Sequence, residues 1–295
     1  MRIAILMSTY NGEKFLDKQL ESIAMQTVAQ DITLYIRDDG STDSTFDIIE
    51  NWKNKIHIVL YKGKNVGPAM SFWQLLMNQE IQADYYAFCD QDDIWDKNKV
   101  EESIRVLTSG SCLAICNSRL IDQNDRVISS KYIEGTPKFS YQSLFVGGIA
   151  QGCAMTFTDE LRHYICSKEI SCVPMHDLIV NLYALSFGKV EWLETPLFGY
   201  RVHSNNVAAK ENKGFIKCIR TTIWNWENSD MGDVAEELLS NSGDFSDIDR
   251  RFLMSASTYK KKISAKINLL RNKATKDTNM RIKRSYYLRI ILNLY

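Results

Sequence analysis

Short apolar runs alternate with amphipathic stretches over residues 1–110 of the chain. Each run holds five or six residues and almost no charge, which is typical of a strand buried on both faces of a sheet. The stretches between them carry apolar residues at helical spacing. The expected helix starts are one of Ser41, Thr42 and Asp43, then Pro68, and then Asp96. The predicted strands span 3–7, 32–36, 56–61 and 85–89, and the helices end near residues 26, 54, 79 and 107.

Strand and helix therefore alternate four times. This alternation predicts a parallel sheet with right-handed crossovers, the α/β architecture of nucleotide-binding proteins. In such sheets, ligands bind beyond the carboxyl ends of the strands. Polar turns follow the first, second and fourth predicted strands, at 8–12, 37–43 and 90–93. We expect these three turns to converge at one edge of the sheet.

The pattern loses this regularity after residue 110. Strands are predicted at 112–116, 153–157, 190–193 and 197–202, with a hairpin at 119–129 and a loop-rich stretch at 132–145. Thr158 or Asp159 begins a predicted helix, and Pro174 opens another that Gly188 ends. Helical patterns then dominate at 216–226, 233–239, 252–270 and 281–295.

Composition is that of a globular protein, but charge is unevenly distributed. The chain has 295 residues, of which 45% are hydrophobic and 24% charged, and its net charge is zero. Residues 250–295 hold 13 Lys and Arg against one acid, so they carry +12 and the remainder carries −12. A basic tail on an acidic body predicts an anionic partner for the tail. The basic, aromatic and aliphatic mixture at 281–295 fits either an interfacial helix on an anionic membrane or a helix paired with the acidic body.

Several classes of protein fit the sequence poorly. Seven cysteines without zinc-site spacing predict reduced, buried thiols in a cytosolic protein. No apolar run approaches 18 residues, so no membrane-spanning segment is expected. A nicotinamide-dependent dehydrogenase would need a glycine-rich G-x-G-x-x-G turn after the first strand, and 8–12 does not supply it. A receiver domain would leave the second half of the chain unexplained.

Three carboxylates, Asp90, Asp92 and Asp93, come directly after the strand predicted at 85–89. Acids this close repel one another unless a cation neutralises them. Oxygen ligands at a strand end suit Mg²⁺ or Mn²⁺, and these cations in turn suit a phosphate ligand. The alternative is a solvated acidic turn without a ligand.

Five motifs together resemble those of the family 2 glycosyltransferases of the GT-A fold. They are Met7-Ser8-Thr9-Tyr10-Asn11-Gly12, Arg37-Asp38-Asp39-Gly40-Ser41-Thr42-Asp43, Asp90-Gln91-Asp92-Asp93-Ile94-Trp95, Met175-His176-Asp177 and Tyr200-Arg201-Val202-His203-Ser204-Asn205-Asn206. The last two are similar to those of the bacterial rhamnosyltransferase branch. The resemblance implies a GT-A domain at 1–213, with a nucleotide-sugar half at 1–110 and an acceptor half at 111–213. Residues 214–295 would form a helical, basic extension.

The resemblance also implies a role for individual residues. Tyr10 would lie near the base, Asp39 would bond the pyrimidine edge, and Arg201 would face the diphosphate. The full set implied for the nucleotide sugar is Ser8, Thr9, Tyr10, Asp38, Asp39, Asn65, Gly67, Asp90, Gln91 and Arg201. Asp92 would ligate the Mn²⁺ or Mg²⁺ cofactor with Asp90 and His203, and Asp93 is an alternative ligand. Asp177 would be the general base, and the acceptor side would include Gln151, Gly152 and His176.

The implied reaction is a single, metal-dependent transfer with inversion at the anomeric carbon. The Gln-x-x-Arg-Trp motif of processive relatives does not occur in the chain. The branch favours dTDP-L-rhamnose as donor, with a UDP-hexose or UDP-N-acetylhexosamine as the alternative, and a saccharide or lipid-linked acceptor at the inner face of the cell membrane. A non-catalytic nucleotide-sugar-binding assembly protein is a third hypothesis. No nucleic-acid partner is expected.

Overall fold

Four parallel strands, in the order β3-β2-β1-β4, form one side of the central sheet. The structure is a computed structural model that describes residues 1–147, 151–203, 230–276, 278 and 280–295. The strands found in this part of the chain are β1 Ile3–Thr9, β2 Ile32–Asp38, β3 Ile58–Lys62, β4 Tyr85–Cys89, β5 Ile94–Trp95, β6 Ser111–Ile121, β7 Val127–Ser129, β8 Met155–Thr158 and β9 Lys189–Arg201.

Helices cover this sheet and extend beyond it. In the described ranges they are α1 Leu16–Ala24, α2 Thr45–Trp52, α3 Pro68–Met77, α4 Lys99–Leu107, α5 Tyr141–Val146, α6 Asp159–Cys166, α7 His176–Phe187, α8 Met231–Asn241, α9 Asp247–Thr258, α10 Ile263–Leu270 and α11 Met280–Ile291. The predicted parallel α/β sheet is confirmed. The core of β1 (Ile3 to Met7) is almost completely buried, as expected of a strand covered on both faces.

The sheet continues from β4 in the order β8-β6-β9-β5, with β7 paired to β6. Strand β8 is antiparallel to both β4 and β6, whereas β6 and β9 are parallel. The sequence predicts two strands where β9 is one, because Pro196 looks like a strand breaker. The ladder with β6 shifts register near Pro196 and then resumes, so the strand bends without ending.

Other predictions about element boundaries are wrong for local reasons. Asp96 does not cap α4, because its carboxylate forms two hydrogen bonds with Arg119 at 2.7 and 2.6 Å. The loop-rich stretch at 132–145 contains the start of α5, and the helix predicted at 252–270 is divided into α9 and α10. The helix predicted at 216–226 lies outside the described residues. Among the described helices, none combines the length and apolar character needed to cross a bilayer.

Candidate functional site

Gln91 joins the turn after β4 to the turn after β1. Its side-chain amide donates to the carbonyl of Tyr10 at 3.1 Å and accepts from the Tyr10 amide at 2.9 Å. Gly12 makes room for this contact, since a Cβ atom there would collide with Gln91 Oε1. Two predicted turns thus meet at the carboxyl edge of the sheet. Gln91, which lies between Asp90 and Asp92 in the chain, links them by hydrogen bonds.

Asp38 holds the turn after β2 in shape. Its Oδ2 accepts from the hydroxyls of Thr9 at 2.9 Å and Ser41 at 2.6 Å, and its Oδ1 accepts from the amides of Gly40 and Ser41. Gly40 has φ +87°, a backbone conformation that glycine adopts without strain. Thr9 and Asp38 therefore connect this third turn to the end of β1. Ser8 bonds Ser71 at 2.6 Å, which places it against α3.

Asp39 is buried in the turn after β2, and its contact with the pyrimidine edge stays a prediction. Its carboxylate accepts from the amides of Val66 and Gly67, each at 2.9 Å, and pairs with the Arg37 guanidinium. Only 2% of Asp39 is exposed. It therefore acts by holding the loop that carries Asn65 and Gly67 against the turn after β2.

The acidic run after β4 concentrates uncompensated negative charge. Asp93 is fully buried, and its Oδ1 accepts from the Arg201 amide at 3.1 Å, while its Oδ2 has no hydrogen-bond donor among the residues that the structure describes. Asp90, Asp93 and Cys153 each offer one atom that could bind a metal ion, and these three atoms lie within 4.8 Å of one another. Burial, and then the charge of Asp92, raises the pKa of Asp90 to about 7 and raises the pKa of Asp93 well above its ordinary value. These residues fit a divalent cation, since such an ion would neutralise this charge and supply a partner to Asp93 Oδ2.

Asp92 differs from Asp90 and Asp93 in having a histidine partner. His203 Nε2 lies 2.7 Å from Asp92 Oδ2, and the imidazole stacks on the Phe15 ring at 5.1 Å between centroids. The sequence pattern does not single out Phe15, because an apolar residue at this position also fits the helix that follows the turn. The available signal was its place three residues after the polar turn that follows β1. The ring orients His203, and His203 orients Asp92.

Arg201 is buried beneath the acidic turn, and its contact with the diphosphate stays a prediction. Its Nε donates to the main-chain carbonyl of Asp92 at 2.7 Å, and its Nη1 lies 2.6 Å from a carboxylate oxygen of Asp125. The guanidinium also lies 4.5 Å from the centre of the Phe15 ring. Arg201 therefore supports the backbone on which Asp92 is mounted.

Asp177 is the second residue of α7 and faces the acidic turn. Its Oδ1 accepts from the Leu178 amide at 2.8 Å, and the Gly152 amide also bonds its carboxylate. Burial raises the pKa of Asp177 to about 6, and its charge helps to raise the pKa of Asp90. A carboxylate with this pKa is ionised at neutral pH and can accept a proton, as a general base requires.

His176 lies inside the aromatic core beneath Asp177. Its ring stacks on Phe72 at 4.2 Å and meets the edge of Phe88 at 4.7 Å, and it is 4% exposed. Burial lowers the pKa of His176 to about 3, so the imidazole is neutral at physiological pH. It can shape the acceptor side from below, and its place in the acceptor site stays a prediction. Gln151, which accepts from the Ser118 hydroxyl at 3.2 Å, and Gly152 lie above it.

Gly152→Ala should weaken both stability and activity. A Cβ atom at this position would lie 2.7 Å from His176 Nε2, and the ring cannot retreat because it is stacked on Phe72. We expect a loss of about 1–3 kcal/mol in the free energy of unfolding, as is typical of overpacking, measured by denaturant titration. Gly243→Ala is the control, since a Cβ atom there meets nothing within 4 Å. An equal loss in the control would contradict this account.

Comparison with known proteins identifies the family of this chain. A model of the family described as glycosyl transferase family 2 matches residues 4–159, which is more than half of the chain. The dTDP-rhamnosyl transferase RfbG of Shigella flexneri is 28% identical over 260 residues, covering 80% of this chain and 86% of the relative.

Two solved structures have the same fold. S. aureus TarS in complex with UDP-GlcNAc has a TM-score of 0.65 at 14% identity, covering 100% of this chain and 80% of TarS. The mannosyltransferase PcManGT from Pyrobaculum calidifontis, in complex with GDP-Man and Mn²⁺, has a TM-score of 0.57 at 14% identity, covering 100% of this chain and 81% of PcManGT. At this identity they show the fold alone.

Proposed function

Since the chain belongs to glycosyl transferase family 2 and is a glycosyltransferase, we propose that it transfers a sugar from a nucleoside diphosphate to a saccharide or lipid-linked acceptor, with inversion at the anomeric carbon. One observation carries this proposal. The carboxylates after β4 and the Asp177 carboxylate face each other closely enough for the charge of Asp177 to raise the pKa of Asp90. A cation site with a base near it is what an inverting transfer needs.

The donor we propose is dTDP-L-rhamnose, supported by the similarity to the Shigella dTDP-rhamnosyl transferase. The turns after β1 and β2 and the 63–67 loop would hold the nucleotide, with Tyr10, which is 47% exposed, beside the base. Residues 1–110 would then form the donor half and 111–213 the acceptor half. A UDP-hexose or UDP-N-acetylhexosamine is the alternative donor.

The proposed mechanism uses few groups. Asp92, Asp90 and His203 would hold Mn²⁺ or Mg²⁺, which when bound neutralises the charge of the diphosphate leaving group. Asp177 accepts the proton of an acceptor hydroxyl while that oxygen forms a bond to the anomeric carbon from the face opposite the diphosphate. The bond between that carbon and the diphosphate oxygen breaks, and the nucleoside diphosphate leaves with the electron pair. Asp177 keeps the proton until solvent removes it, so no covalent enzyme intermediate is needed.

The acceptor class follows from what the relatives build. We propose a saccharide or lipid-linked saccharide of bacterial cell-wall, capsular or exopolysaccharide synthesis, modified at the cytoplasmic face of the membrane. This placement is supported by the basic C-terminal extension and by the similarity to the UDP-Glc:alpha-D-GlcNAc-diphosphoundecaprenol beta-1,3-glucosyltransferase WfaP of Escherichia coli, which is 26% identical over 219 residues.

Nucleotide-dependent thermal stabilisation tests the donor assignment. The melting temperature should rise with dTDP plus Mn²⁺ by roughly 5–10 °C at 100-fold excess over Kd, because such binding contributes about 2.7 kcal/mol. The shift should shrink when Mn²⁺ is replaced by a chelator. In a separate transfer assay with Mn²⁺ present, dTDP-rhamnose should be consumed. A larger shift with UDP would favour the alternative donor. If no nucleotide raises the melting temperature, the result would count against the proposal that this is the site of a sugar transferase.

A further inference from the structure

The outward side of α11 is apolar although it is exposed. Leu288 is 49% and Ile291 is 57% exposed, and helical spacing puts Met280 and Arg284 on the same side. The inward side is equally apolar, since Tyr286 and Ile290 are fully buried. A helix on the surface of a globular protein normally presents polar residues to water. The exposed apolar face therefore indicates a partner other than water.

The neighbouring helix α10 has the same character. Ile263 and Ile267, one helical turn apart, are 79% and 42% exposed. The two helices contact each other, with the Tyr286 hydroxyl donating to the carbonyl of Leu269 at 3.0 Å. Exposed basic residues accompany the apolar ones on and around these helices: Lys261, Lys262, Arg271, Lys273, Lys276 and Arg284.

These basic charges are not neutralised by the acidic body in the part of the chain that the structure describes. Among the described residues, the basic side chains after residue 250 form one ion pair, between Lys260 and Asp230. The C-terminal segment packs on the body through aromatic and apolar contacts instead, such as the Phe145 and Tyr295 rings at 6.3 Å. Of the sequence-based alternative, the packing on the body is therefore present in these residues, whereas pairing with its acids is limited to Lys260. An external anionic partner fits the charge that remains.

The exposed surface is fastened to the acceptor half through α5. The Tyr295 hydroxyl donates to the carbonyl of Phe145 at 2.8 Å, and the Asn272 amide donates to the carbonyl of Gln142 at 3.0 Å. At the end of α5, a Cβ atom on Gly147 would lie 2.7 Å from Ile282 of α11. Helix α5 also contacts α7, the helix that carries Asp177, so packed elements connect the surface to the acceptor side.

We propose that the outward faces of α10 and α11 dock on an anionic lipid surface and thereby hold the acceptor half beside the bilayer. Apolar side chains enter the headgroup region while lysine and arginine attract anionic headgroups, the combination that amphipathic interfacial helices use. The assignment of the docked side to the acceptor rests on the proposed function. Lipid docking itself does not.

Sedimentation with vesicles tests the docking. The full chain should bind vesicles of phosphatidylcholine and phosphatidylglycerol, bind phosphatidylcholine alone much less, and lose binding as salt is added. The double variant Leu288→Glu, Ile291→Glu should bind the anionic vesicles at least about tenfold more weakly, because two apolar anchors become charged and face the headgroups. The matched control is Val127→Glu, Ile128→Glu on β7, where the two side chains are 58% and 60% exposed.

Each other outcome overturns the proposal. No binding by the wild type, unchanged binding by the α11 variant, or equal loss in the β7 control would show that this surface does not dock on lipid. A dimer that the α11 variant converts to a monomer, seen by light scattering, would make the surface an interface between two copies. The thermal shift with dTDP and Mn²⁺ should be the same in wild type and variant, so it reports separately on the proposed function.

Discussion

Asp177→Asn is expected to lower the rate of sugar transfer by about 10²–10⁴-fold, the range that a positioned general base contributes. The amide occupies nearly the same space and still accepts a hydrogen bond from the Leu178 amide, but it cannot take a proton. The Kd for dTDP with Mn²⁺ should stay close to that of the wild type. Single-turnover transfer and the nucleotide-induced thermal shift measure the two quantities separately.

The same variant should be more stable than the wild type at pH 8. Burial raises the pKa of Asp177 from its ordinary value of 3.8 to about 6. The folded protein therefore binds this proton more tightly than the unfolded chain, and the resulting stability is present below pH 3.8 and lost as the pH rises through 6. Above that pH the ionised group costs up to about 3 kcal/mol, which a neutral amide would remove. Wild-type transfer should correspondingly fall below pH 6, as the base becomes protonated.

Asp247→Asn is the matched control for both results. Asp247 is an exposed acid in the first turn of α9, so it shares with Asp177 the favourable interaction with a helix N-terminus. It contacts no part of the candidate site, and we expect unchanged transfer and a change of less than about 1 kcal/mol in stability. Transfer by Asp177→Asn at the wild-type rate would remove Asp177 as the base.

Asp92→Ala is expected to abolish the dependence of nucleotide binding on Mn²⁺ and to reduce transfer by about 10²–10³-fold, comparable to the loss of one preorganised group that stabilises charge in a transition state. The variant also leaves His203 Nε2 without its carboxylate partner at 2.7 Å. Titration of Mn²⁺ in the presence of dTDP, followed by the melting temperature, measures the effect without requiring turnover.

Asp84→Ala provides the comparison for this variant. Asp84 immediately precedes β4, the strand that the acidic turn follows, so the two acids lie at opposite ends of the same strand. Its carboxylate accepts from the Arg2 amide at 2.7 Å and has no contact with the turn. Retention of the Mn²⁺ response by Asp92→Ala would show that the buried pair of Asp90 and Asp93 holds the cation without it.

The fold could be predicted largely because its signals are local. The predicted strand at 85–89 has the bounds of β4, and Pro68 begins α3 as expected, since buried runs and proline depend on nearby residues alone. The convergence of the three turns followed from one rule about parallel sheets. The two-residue strand β5 within the acidic motif had no such signal, because it exists through pairing with β9 about 100 residues later.

Roles that depend on a distant partner could not be predicted from local pattern. Asp39 and Arg201 look like exposed ligands in a polar turn and at a strand end. Each is instead buried by contacts to residues far along the chain: Asp39 to the amides of Val66 and Gly67, and Arg201 to the carbonyl of Asp92. Phe15 gains its importance in the same way, from His203. Sequence identifies groups capable of chemistry, whereas packing decides which of them face the substrate.

The two hydrogen bonds between Gln91 and Tyr10 limit how the donor preference can be changed by design. Position 91 looks like a free spacer between two acids and is an attractive place to diversify. Its side chain nevertheless fills the space that the missing Cβ of Gly12 leaves, so the two positions, 79 residues apart, form one steric unit. A combinatorial library should vary them jointly, pairing small residues at 91 with larger ones at 12. Randomising only one of these two positions would mostly give turns that are overpacked or poorly packed.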